Sequence, residues 1–184
     1  MLSKQMTLLS ELISYKLPYT FIFIALLISC DVFSSKQYTY EKETPLEYND
    51  FMVKNIDTVS AKFIEFLEAF NQSYSAGVMD EIRLEIKSTA KESLSNINEL
   101  KPFSEDNDFR AKAIKVVDYY AFMANEYLVR VVEILRKEET GDITEADYEQ
   151  AFEILYETEV KEFEVLLEFD EAQSDFMNNQ LHIR

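Results

Sequence analysis

From residue 45 onward, apolar side chains recur every three or four positions, in four blocks separated by short polar or turn-forming stretches. The first block, 46–75, places Met52, Ile56, Val59, Phe63, Leu67, Phe70 and Tyr74 on one face of a helix that opens with Pro45 in a first-turn position. Ser75-Ala76-Gly77 ends it, with Gly77 free to take the left-handed conformation that closes a helix. The second block, 79–100, repeats the pattern with Ile82, Ile86, Ala90, Leu94 and Ile97 and stops at Pro102. The third, 107–138, carries Phe109, Ala113, Val116, Tyr120, Met123, Tyr127, Val131 and Ile134. Ser104-Glu105-Asp106-Asn107 ahead of it supplies capping oxygens and negative charge. After a break at Thr140-Gly141-Asp142, Thr144 with Asp147 forms a capping-box pattern that opens the fourth helix, 144–179. Its stripe is Tyr148, Phe152, Leu155, Phe163, Leu166, Phe169 and Phe176. Steps that alternate between three and four are those of a bundle seam. Helices of about 30 residues joined by short links fold back on their predecessors. The pattern therefore predicts an all-α domain over 46–184, an antiparallel up-down-up-down four-helix bundle about 45 Å long with these aromatics in its core.

Upstream of residue 45 the pattern changes. Residues 17–29 form an uncharged run of 13 that ends at Cys30, the only cysteine of the chain. Lys4, Lys16 and the amino terminus outweigh Glu11 in the segment before it. A bilayer-spanning helix needs about 20 such residues, and Asp31 stops the run short, so 1–29 has the layout of a signal peptide. Leu27-Ile28-Ser29-Cys30 resembles the lipobox of bacterial lipoproteins, in which Leu, a variable residue and a small residue precede the modified cysteine. The resemblance implies a thioether-linked diacylglycerol on Cys30, cleavage between Ser29 and Cys30, and an amino-terminal acyl chain of the palmitate kind. Two or three chains at about 0.8 kcal/mol per buried methylene hold a protein on a bilayer almost permanently. The implied site is the cell membrane or outer membrane, facing periplasm or cell exterior. Asp31 resembles the inner-membrane retention signal of some bacteria. The other reading of the run is an uncleaved signal anchor with a buried, inert cysteine. Residues 30–45 then read as the lipidated cysteine and a flexible tether, since Tyr38 and Tyr40 have no partner strand.

Charge narrows the partners. The chain carries −17, and the first 29 residues hold one net positive charge, which leaves −18 for the remainder. That sign argues against nucleic acid and against lying flat on anionic lipid. With one cysteine no intrachain disulfide exists, so stability rests on packing, and a monomer is expected. The fourth predicted helix concentrates the acidity, with twelve acids against Lys161 alone. Arg110, Lys112, Lys115, Arg130, Arg136 and Lys137 of the third are positioned to answer part of it. Glu157, Glu164, Glu168 and Glu171 are the candidate interaction face, a docking surface for a basic envelope protein. The competing readings are a solvated face that keeps an exported protein soluble and a loose divalent-cation surface.

Catalytic chemistry finds little to stand on. The single histidine is His182, and one histidine with one cysteine makes neither a Glu-x-x-His di-iron site, a zinc site nor a triad. There is no Cys-x-x-Cys-His for haem, no glycine-rich phosphate loop and no calcium loop, so neither a cofactor nor a metal is expected. A different class of function is a carrier with an apolar ligand in an aromatic cavity lined by Tyr120, Tyr127, Phe152 and Phe163. Leu46-Glu47-Tyr48-Asn49-Asp50-Phe51-Met52-Val53, shortly after a lipobox, resembles the start of a family of small helical bacterial surface lipoproteins of unknown function. That resemblance implies an exposed helical lipoprotein and no catalytic residue. The expected function is non-catalytic binding or structural presence at the cell envelope, not an enzyme.

Overall fold

The computed structural model describes residues 38–103 and 108–182, and the regular structure of these residues is entirely helical. Five helices follow in order among them: α1 Pro45–Asn71, α2 Ala76–Glu99, α3 Phe109–Glu126, α4 Leu128–Thr140 and α5 Glu145–His182. The predicted signal peptide, Cys30 and the predicted capping segment 104–107 lie outside the described residues.

The helix ends follow from local chemistry. Thr44 caps α1 through a reciprocal box: its hydroxyl accepts from the Glu47 N–H at 3.2 Å, and the Glu47 carboxylate accepts from the Thr44 N–H at 3.1 Å. The same device at the start of α5 is the one the sequence predicts, with Asp147 accepting from the Thr144 N–H at 2.9 Å. Gly141 closes α4 at φ 76°, a left-handed conformation open to glycine at little cost. Gly77 does not close α1. Ser73, at φ 56°, takes the left-handed position, and Gly77 sits in the first turn of α2 behind the Ser75 cap.

The third predicted helix is two. It breaks at Tyr127, with neither proline nor glycine nearby, and the cause is tertiary. Arg83 of α2, held by Asp80 at 2.7 Å, donates from Nη1 to the carbonyl of Ala124 at 3.2 Å, drawing that oxygen out of the helical ladder.

The residues expected as flexible tether are fixed from Tyr38 on. The Thr39 and Tyr40 N–H groups both donate to the Glu99 carbonyl, at 2.9 and 3.1 Å, and the Lys101 N–H donates to Tyr40 at 2.8 Å. Tyr40 and Leu100 thus form an isolated parallel bridge. The last carbonyls of any helix lack partners within it, and Pro102 prevents α2 from continuing, so a passing extended segment finds acceptors there.

Contacts between helices reverse direction from one neighbour to the next. On α1 and α2, Asn55 meets Ser93 and Asn96, and further along Lys62 meets Glu85. Arg110 reaches the Ile97 and Asn98 carbonyls, while Arg136 pairs with Asp80. Lys112 and Lys115 bind Glu168, and the Tyr119 hydroxyl donates to the Thr158 carbonyl at 2.9 Å. Across the middle, Tyr48 faces Phe109 and Phe63 faces Tyr120, so α1 and α3 run the same way. One pole is filled by rings: Phe109 stacks on Phe169 and Phe176 at 5.2 and 5.1 Å, and Tyr48 and Phe103 complete the cluster. Each ring of this size buries about 150–250 Å².

Candidate interaction face on the last helix

The face of α5 that meets the core is built from Ala151, Ile154, Leu155, Thr158, Val165, Phe169 and Phe176. Two tyrosines of α3 meet it at Thr158 and Glu162. The Tyr119 hydroxyl donates to the Thr158 carbonyl and the Tyr120 hydroxyl to the Glu162 carboxylate. Thr158 is fully buried and satisfies its own hydroxyl on the Leu155 carbonyl at 2.6 Å.

This arrangement corrects two of the α5 aromatics assigned to the core, as the end of α1 at Asn71 corrects Tyr74, which is 46% exposed. Phe152 is 59% exposed and Phe163 68%, and with Tyr156 at 68%, Leu167 at 48% and Val160 at 43% they form a second apolar stripe. At 3.6 residues per turn those five positions fall within about 80° of arc, roughly 150° around the helix from the buried set. The predicted stripe drifted from one face to the other, because both are apolar and share one period. Phe152 is tied back only at its edge, where it meets Phe70 at 5.2 Å in a T-shaped contact.

The cavity residues are consequently not brought together. Tyr120 is fully buried and donates to Glu162, and Tyr127 sits half-buried at the helix break with its ring edge-on to Phe122 at 5.6 Å. Phe152 and Phe163 point the other way, so the four do not line a common space.

Seven of the twelve acids of α5 fall into three groups. Glu168 is committed to the fold: Lys115 and Lys112 hold its carboxyl at a pKa of about 2, well below the usual range. Asp147 is held down to about 2 by Lys137 and Thr144. Glu162 moves the other way, raised by burial against the hydrogen bond from Tyr120. The third group lies on the outside. Glu153, Glu157, Glu164 and Glu171 run along one border of the exposed stripe, and among the described residues only Glu164 has an ion-pair partner, the adjacent Lys161. Of the four candidate docking acids, Glu157, Glu164 and Glu171 therefore edge the apolar stripe and Glu168 does not. The bases expected to answer α5 split likewise, Lys112, Lys115 and Lys137 turning to it, Arg110 and Arg136 to α2.

A concavity of about 630 Å³ lies between α1 and α2, lined in part by Tyr40, Phe51, Lys54, Asn55 and Asn96. Its buried polar atoms are already paired: Ser93 donates to the Asn55 carbonyl at 3.0 Å, Asn96 to the Asn55 side chain at 3.2 Å, and Asn55 to the Phe51 carbonyl at 2.8 Å. The described residues contain no group of three or more acids, histidines or cysteines placed to hold a metal, and no helix long and apolar enough to cross a membrane. No protein-family model matches the chain, and neither a curated protein nor a solved structure matches it.

Proposed function

We propose that this chain is a lipid-anchored, non-catalytic binding module of the bacterial cell envelope, attached through Cys30. Its helices form an antiparallel up-down-up-down four-helix bundle in which α3 and α4 together make the third rod. The observation that carries the reading is Leu27-Ile28-Ser29-Cys30 at the end of an uncharged run of 13 residues, with no other cysteine in the chain. The alternating direction of the cross-helix bonds supports the topology.

Replacing Cys30 by alanine tests the anchor. Lipid labelling disappears and the precursor stays uncleaved or is shed, because the thiol is the acceptor and no second cysteine can substitute. A Cys30→Ala protein that is processed and membrane-bound as before overturns the reading.

A further inference from the structure

Phe152, Tyr156, Val160, Phe163 and Leu167 cover about four turns of α5, roughly 22 Å of helix axis. Steps of four, four, three and four are those by which one helix seats another, and an isolated domain rarely leaves so continuous an apolar strip in water. Where the stripe begins, Phe152 also borders a cleft of about 240 Å³ formed with Phe70, Tyr74, Leu135 and Tyr148, large enough for a side chain.

Charge decides the occupant. Glu153, Glu157, Glu164 and Glu171 border the stripe, Glu149 and Asp170 lie at its ends, and Lys161 is the only lysine or arginine of α5. A second copy laid antiparallel on this face meets acids with acids along that border, and anionic lipid is repelled in the same way. A helix with lysines or arginines beside its own apolar seam meets opposite charge along the border and apolar surface along the centre. We propose that the outer face of α5 binds a basic amphipathic helix of another protein. This rests on the binding-module reading above and names the chemistry of its partner.

The test uses the full chain in phosphatidylcholine nanodiscs, titrated with a fluorescent peptide of about 18 residues that carries leucines at seam spacing and lysines on both borders. Empty nanodiscs serve as the blank. Saturable binding is expected, weakened about tenfold or more in the Tyr156→Ser/Phe163→Ser variant. Glutamates in place of the peptide's lysines abolish it. Both substituted side chains are two-thirds exposed, so helicity by circular dichroism stays as in the unsubstituted chain. As an independent variant, Glu157→Gln/Glu171→Gln slows association and flattens its dependence on salt. No saturable binding to the unsubstituted chain, equal binding of the acidic peptide, or unchanged affinity in both variants overturns the proposal. So does a concentration-dependent dimer that the serine variant lacks, which assigns the stripe to a second copy. Lipid labelling of Cys30 is read separately: a labelled Cys30 with a failed titration removes this partner and leaves the anchor standing.

Discussion

The Phe152 ring stands edge-on to Phe70, centroids 5.2 Å apart and planes at 86°, and still leaves 59% of itself in solvent. A contact of that kind is worth about 0.5–1.5 kcal/mol beyond area, far less than a core ring. Phe152→Ala is therefore expected to cost about 1 kcal/mol, whereas Phe63→Ala, fully buried against Tyr120, costs about 3–5 kcal/mol. Urea denaturation of the two variants checks this, and equal losses would return Phe152 to the core.

Arg83 offers a second test. Its guanidinium is the donor that the Ala124 carbonyl has in place of a full helical ladder. Arg83→Leu leaves that oxygen short of a partner and breaks the ion pair with Asp80, at an expected cost of about 1–3 kcal/mol. A variant as stable as the parent would mean that α3 and α4 break for another reason.

Two carboxylates of α5 give pH dependences of opposite sign. Glu168 has a folded pKa depressed to about 2, so its contribution is complete above its unfolded value near 4.5 and is lost as pH falls toward 2. Glu168→Gln removes that part of the acid limb. Glu162 has a raised folded pKa, so its ionisation costs stability in full above that value, and the cost shrinks as pH falls below it and is gone below the unfolded value near 4.5. Glu162→Gln should raise the melting temperature at pH 7 and change it little at pH 4. Melting curves between pH 2 and 8 distinguish these outcomes from a common loss.

A chain beginning at residue 36 keeps Tyr40 and everything beyond it. It is expected to be a soluble, strongly helical monomer, because the core is complete from Tyr48 onward. Aggregation or a mainly β spectrum contradicts this.

What the sequence made legible was local. Pro102, Gly141 and the Thr144–Asp147 box mark helix boundaries through their own backbone chemistry, and their positions need no knowledge of the rest of the fold. What it concealed depended on a distant partner. Nothing near Tyr127 announces a break that Arg83 causes from another helix, and nothing near Tyr40 announces acceptors at the end of α2. The Thr44–Glu47 box was readable by the same rule as the later one. On α5 the difficulty was one of degeneracy: Leu155 and Phe152 both obey the helical period, and only Tyr119 and Tyr120 decide which face turns inward. The acidic border was visible as composition, but the apolar stripe beside it emerged only with the facing.

The most direct measurement of the central claim is the mass of the amino-terminal peptide of the protein extracted from membranes. The lipoprotein reading predicts a peptide that begins at Cys30 and carries two or three acyl chains. A peptide that retains residues from 1–29, or an unmodified Cys30, contradicts it.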